Sequence, residues 1–155
     1  MSSKASSKKP KSSSSTKALT TSDYERLADF RYALRQFLAF SQQSAKHAGL
    51  TPQQHQALLA IKGSQARGGM SVGDLSDRLI LRHHSAVELT DRLVRARLVT
   101  REEATQDGRK VMLSLTADAE ALLLSLSASH MEELRRVGPG LSELILQFSQ
   151  GSQPQ

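Results

Sequence analysis

Residues 70–116 read MSVGDLSDRLILRHHSAVELTDRLVRARLVTREEATQDGRKVMLSLT, and the order of signals within them decides the fold. Ser71 suits a helix N-cap, and Asp74, three residues on, suits the first turn of that helix. Leu75 and Leu79 then lie four apart on one face. Ile80 and Leu81 offer no polar turn residue, so the spacing predicts a tight, half-buried turn. A second helical period follows, with Ala86, Leu89, Leu93 and Leu98 near one stripe. The opposite face carries His83, His84, Glu88, Asp91, Arg92 and Arg95. Val99 and Arg101 open a short strand. The polar run 104–110, with Asp107-Gly108 inside it, reads as a hairpin tip. Val111, Leu113 and Leu115 alternate with Met112 and Ser114, which is the period of a half-buried strand.

A short helix, a tight turn, an amphipathic helix with a basic outer face and a hairpin with a basic tip make a winged helix-turn-helix. On these residues the stretch resembles the DNA-binding core of the MarR family of bacterial transcription regulators. The resemblance is carried by Leu75, Leu79, Val87, Leu89, Asp91-Arg92-Leu93, Leu98-Val99, Arg101, Asp107, Arg109 and Leu113 to Thr116. It reaches outward to Leu50-Thr51-Pro52 and, with the flanking helices, covers roughly residues 22–148. Four positions depart from the family pattern. Ile80 stands where the turn usually has Gly, Arg82 where Ser or Thr usually opens the recognition helix, and Arg97 where a Gly usually follows it. The wing tip reads Asp107-Gly108-Arg109, where the family has Asp-Arg-Arg.

Outside this stretch the signals are mostly helical. Residues 1–21 are Ser/Lys-rich, with too little apolar content to order themselves, and read as a disordered tail. That tail is either a solubilising segment or a loose arm that tracks phosphates. Ser22 to Glu25 reads as a capping box for a helix over 22–48, with Gly49 at its C-terminus. Five of the six aromatic residues lie between Tyr24 and Phe40, as if that helix meets more than one surface. Thr51-Pro52-Gln53-Gln54 is a strong start signal for the next helix, which runs to about Lys62 before a Gly-rich connection. Thr116 is placed to cap a last long helix, with Asp118 and Glu120 in its first turn. Its apolar residues cover more than one face, which calls for burial on two sides. Gly138-Pro139-Gly140 is expected to break it, leaving a short final helix and a flexible tail over 150–155.

Composition narrows the function classes. A length of 155 residues suits one domain with a real core. There is no cysteine, hence no disulfide, thiol switch or thiolate metal site. No apolar run approaches the ~20 residues that span a bilayer, and the Ser/Lys-rich N-terminus does not resemble a secretory signal. The expected location is the cytoplasm. The net charge is +6, but five of those charges are Lys4, Lys8, Lys9, Lys11 and Lys17, so the rest of the chain is nearly neutral. No phosphate-binding Gly loop, paired carboxylates or activated nucleophile appears, so the chain is not expected to be an enzyme. Adjacent His83 and His84 point in different directions on a helix and make a poor metal site, and no cofactor is expected.

Arg82, His83, His84, Ser85, Glu88, Arg92 and Arg95 are therefore the expected recognition-helix contacts. A helix fits the major groove, and its early exposed residues reach base edges. One local competitor stands against this: Ser85-Ala86-Val87-Glu88 is itself a capping box, and a helix starting there would occupy both polar side chains. Asp91 and Arg92 are expected in a structural ion pair. Arg109 and Lys110 at the wing suit phosphates or a minor groove, with Arg97 and Arg101 as weaker phosphate contacts and the Ser71 amide as another. The resemblance implies that Asp107 orients Arg109. It also implies a homodimer formed by the terminal helices and an effector pocket for a small aromatic compound, for which Phe30, Phe37, Phe40, His55 and Leu58 are the residues expected. The same residues are read equally as plain core.

Together these readings predict a mainly α winged helix-turn-helix of about six helices plus a two-stranded β-wing. The core would occupy 51–116 within a MarR-like domain over 22–149, with dimerisation helices 22–48 and 117–148. The predicted function is a ligand-responsive repressor binding double-stranded DNA as a homodimer, away from membranes. The alternative is a winged-helix protein-interaction module without a specific DNA site, which the near-neutral folded part allows.

Overall fold

The computed structural model describes residues 19–103 and 111–150. The elements run α1 (Thr21–His47), α2 (Pro52–Ser64), a 3-10 turn (Gln65–Arg67), β1 (Met70–Ser71), α3 (Val72–Arg78), α4 (His83–Arg95), β2 (Val99–Glu103), β3 (Val111–Leu115) and α5 (Ala117–Gln150).

Three helices start on reciprocal caps. Thr51 Oγ1 accepts from Gln54 N while Gln54 Oε1 accepts from Thr51 N, with Pro52 in the first turn, as its sequence predicts. Ser71 and Asp74 do the same for α3. For α1 the box is Thr20 with Asp23, not Ser22 with Glu25. The shorter Asp23 side chain reaches back to the Thr20 amide, so the cap lies two residues earlier than expected.

Helix ends matter more here than starts, because one motif closes three of them. At α1, Leu50 N donates to Ala45 O and Gly49 N to Lys46 O, with Gly49 at φ 76°. At α3, Leu81 N donates to Ser76 O and Ile80 N to Asp77 O, with Ile80 at φ 55°. At α4, Leu98 N donates to Leu93 O and Arg97 N to Val94 O, with Arg97 at φ 57°. This is the Schellman arrangement, which needs a left-handed residue just past the cap. Glycine supplies it once. Ile80 and Arg97 supply it against the preference of L-residues for negative φ. The α3–α4 turn is thus tight as expected, but Ile80 is 94% exposed rather than half buried.

The sheet has three strands in the order β1-β3-β2, all antiparallel. Only β2 and β3 were expected. The two-residue β1 adds an edge through Met70 opposite Leu113 and Ser71 opposite Met112, and so ties the start of α3 to the wing. Arg101 pairs with Leu113 and Val99 with Leu115 across the hairpin.

The core lies between α2, α3, α4, the sheet and the first half of α5. Leu58, Ile61, Leu75, Leu89, Leu93 and Val99 are fully buried, with Leu113, Leu123 and Leu126 joining them. The remainder of α5 lies along α1. Here the sequence reading needs correction, because Gly138-Pro139-Gly140 does not end the helix: α5 continues through Pro139 to Gln150. An internal proline removes one backbone hydrogen bond and crowds the preceding turn. The stripe on the α1 side nonetheless persists through Val137, Leu141, Leu144 and Phe148, all partly buried. Phe148 meets Phe30 edge-on at 5.9 Å beyond the proline. Packing on both sides of the interruption holds one rod together, and the described residues form five α-helices.

Candidate nucleic-acid interface

Helix α4 divides sharply into two faces. Ala86, Leu89, Thr90 and Leu93 are buried, and Thr90 Oγ1 satisfies itself on Ala86 O at 2.8 Å. Arg82, His83, His84, Glu88, Arg92 and Arg95 are exposed, and Ser85 is partly so. The helix begins at His83 with Arg82 as its N-cap, and no side chain caps it. The Ser85–Glu88 box therefore does not form. Both residues lie one turn inside the helix, so their side chains are not spent on its first amides. The uncapped N-terminus also leaves backbone N–H groups facing outward beside Arg82, the end of a helix that favours anions.

Other expected contacts have different placements. Asp91 pairs with Arg101 of β2 at 2.6 Å rather than with Arg92, linking α4 to the wing. Arg95 Nε leans back on Asp91 O at 3.3 Å, and Arg101 is held by the Asp91 carboxylate. Both side chains stay partly accessible, so the cluster Asp91–Arg101–Arg95 is a pre-set basic edge at the C-terminal end of α4. Arg92 lines a groove of about 280 Å³ with Thr51, Pro52, Gln53 and Gln54 at the start of α2. Arg97 is exposed, and its carbonyl accepts from Thr116 Oγ1 at 2.8 Å. Ser71 is committed elsewhere: its hydroxyl donates to Asp74 Oδ2 at 2.7 Å and its amide donates to the same oxygen at 2.9 Å. The Ser71 amide is thus not on offer to a phosphate, a correction to its expected role. Asp107, Arg109 and Lys110 lie outside the described residues.

The residues expected around an effector do not surround one space. Leu58 belongs to the core of the winged module, and Phe30 packs on Phe148 at the far end of α5. Phe37, Phe40 and His55 converge on a residue the sequence reading passed over, His130 of α5, with ring centroids at 6.2, 5.5 and 4.8 Å. Its signal was available: His130 falls four residues after buried Leu126 and seven before Val137, on the stripe that faces α1. His130 Nδ1 lies 2.6 Å from Leu126 O and Nε2 lies 2.8 Å from Ser41 Oγ. Burial holds the His55 imidazole below its usual range, and the His130 ring adds to the effect.

Comparison with known proteins agrees with this geometry. The family model described as MarR family matches residues 48–110, from the end of α1 to the wing. The uncharacterized HTH-type transcriptional regulator YsmB of Bacillus subtilis (strain 168) is 26% identical over 121 residues, covering 76% of this chain and 81% of YsmB. Among solved structures, AbsC of Streptomyces coelicolor, a MarR family transcriptional regulator, superposes with a TM-score of 0.68 at 20% identity, over 90% of this chain and 95% of AbsC. The S. aureus MepR–DNA complex superposes with a TM-score of 0.58 at 20% identity, over 79% of this chain and 90% of MepR. With the winged fold in place, the sequence match running through its helix-turn-helix makes residues 48–110 similar to the MarR family.

Proposed function

We propose that the protein is a transcriptional regulator that binds double-stranded DNA as a homodimer and acts as a repressor released by a small aromatic ligand. One observation carries the DNA reading. Helix α4 is anchored by Leu89 and Leu93, while Arg82, His83, His84, Glu88, Arg92 and Arg95 are exposed on the other face. Arg and His can donate to guanine acceptors, Glu88 can accept from cytosine N4, and the flanking arginines suit phosphates. MepR, which shares the fold, is a protein seen bound to DNA.

The dimer reading rests on where apolar surface is left over. Tyr24, Leu27, Tyr32, Leu34 and Leu38 of α1 and Leu124, Met131, Leu134, Ile145 and Leu146 of α5 are exposed. Two neighbouring helices with that much uncovered side chain suit a second copy of the chain. A two-fold pair of α4 helices then matches a pseudo-palindromic site with half-sites about one turn (~34 Å) apart. A ligand relieves repression only if it binds better when that spacing is wrong. The Phe37, Phe40, His55 and His130 cluster, between α1, α5 and α2, is where such a ligand would act.

The test is a titration of the full chain against the DNA upstream of its own gene, with random duplex as competitor, at several salt concentrations. Specific binding surviving at salt that removes random DNA supports the reading. Equal affinities that vanish together would favour a protein-interaction module instead.

A further inference from the structure

Of the chain's five histidines, two sit ring to ring inside it. His55 of α2 is only 3% exposed, and its ring lies 4.8 Å from that of His130 on α5, tilted by 40°. Phe37 and Phe40 of α1 meet the His130 ring in T-shaped contacts. Leu126 O can only accept, so the His130 Nδ1 facing it carries the proton. In the neutral ring Nε2 is then bare, and Ser41 Oγ donates to it. The His55 ring has no hydrogen-bond or ion-pair partner among the described residues. Neutral, the pair leaves no ring nitrogen fully buried without a partner.

A His55 cation does not fit there, because its ring has no acceptor among the described residues. On α1, Arg35, Lys46 and His47 are all exposed. On α2 there is Lys62, bound to Glu120, and opposite the start of α2 stands Arg92 of α4. On α5, Glu132, Arg135 and Arg136 are exposed. Glu133 shares the His130 stripe, but Arg136 grips both its oxygens, at 2.9 and 2.6 Å. Among the described residues neither ring forms an ion pair or hydrogen bond with a carboxylate, and a buried charge without a partner is costly.

We propose that His55, packed ring to ring on His130, forms a proton-sensitive latch between the winged module and the α1/α5 helix pair: neutral, it holds α2 against α5; protonated, it pushes the two apart. The junction joins the element that carries α4 to the elements that would carry the dimer. Opening it lets the two α4 helices of a dimer drift from a fixed spacing. That last consequence rests on the DNA-binding reading above, whereas the latch itself does not.

The sign follows from linkage. The fold disfavours protonated His55, so below about pH 6.5 the unfolded chain holds more protons than the folded one. Stability is complete above that pH and falls as the pH drops through the folded-state value.

The experiment compares the full-length wild type with His55→Gln and His130→Gln in thermal unfolding between pH 7.5 and 5.5, with DNA titrations at both ends. The wild type should lose roughly 2–4 °C more than His55→Gln over that interval. Its DNA affinity should fall about fivefold, the low end of ordinary coupling, while His55→Gln, which keeps His83 and His84, should not weaken. Parallel unfolding profiles for wild type and His55→Gln overturn the latch. Should the variants fail to fold, imidazole proton NMR of the wild type decides. One ring titrating well below the others supports the latch, and five rings with ordinary titration overturn it. If no DNA binds at any pH, the proposed function fails, while the unfolding comparison still judges the latch.

Discussion

Replacing Ile80 with Gly should make this protein more stable, which is unusual for a substitution that deletes a whole aliphatic side chain. Ile80 sits at φ 55° between α3 and α4, in the motif that Gly49 serves at the end of α1. An L-residue in the left-handed region costs roughly 1–2 kcal/mol, and a β-branched one is a true outlier there. The side chain is 94% exposed, so deleting it forfeits almost no buried area. Against the relief stands the looser unfolded chain that glycine brings, about 0.5–1 kcal/mol. The net gain is about 0.5–1 kcal/mol, or roughly 2–4 °C in Tm for each kcal/mol in a chain of this size. Ile80→Asn, which tolerates the left-handed region without glycine's entropy, should gain a similar amount. Ile80→Ala keeps the Cβ and should change little. The assay is thermal unfolding followed by circular dichroism at one fixed protein concentration, since dimerisation would make Tm depend on it. Loss of stability in both Ile80→Gly and Ile80→Asn would refute the strain argument. Arg97→Gly, at φ 57° beyond the other end of α4, provides an independent repeat. The sites are separated by a 13-residue helix, about 20 Å, so the double variant should show the sum of the two gains within about 0.5 kcal/mol.

Further outcomes follow from other contacts. Leu93→Ala, at a fully buried position in α4, should cost about 2–5 kcal/mol in chemical denaturation and abolish DNA binding through loss of the fold. Pro139→Ala restores a helical amide in α5 and should raise Tm, by up to the ~3 kcal/mol that an internal proline costs; an unchanged Tm would mean that the surrounding packing has already absorbed the defect. Asp91→Ala breaks a partly exposed pair with Arg101 and should cost less than about 1 kcal/mol, shrinking further in high salt. Arg92→Ala should weaken specific and random DNA alike and flatten the logarithmic salt dependence by about one charge, whereas His84→Ala should weaken the specific site more than random duplex.

How much of this was legible in the sequence depends on the range of the interaction. Thr51 with Gln54 and Ser71 with Asp74 announce their helices because a capping box is closed within three residues. The α4 stripe of Ala86, Leu89 and Leu93 is legible for the same reason, as a period. Ser85-Ala86-Val87-Glu88 shows the limit: the pattern is present but unused, because Schellman closure of α3 at Ile80 leaves only Leu81 and Arg82 before the next helix must start. Pro139 reads locally as a break, but the packing of Phe148 on Phe30, more than a hundred residues apart in sequence, overrides it. Two-residue β1 has no period to detect. His130 has a readable position, on the α1-facing stripe, but its partners Ser41, Phe40 and His55 come from two other helices and leave no trace in its own neighbourhood.

Thr116 has a consequence that reaches beyond its role as a cap. Its hydroxyl donates to Arg97 O and accepts from Ala119 N, and its amide donates to Leu98 O. One residue thereby fastens the trailing end of α4 to the leading end of α5, a rod of 34 residues or about 51 Å. A displacement of the leading turn of α5 would therefore reach the residues that follow α4 directly through Thr116.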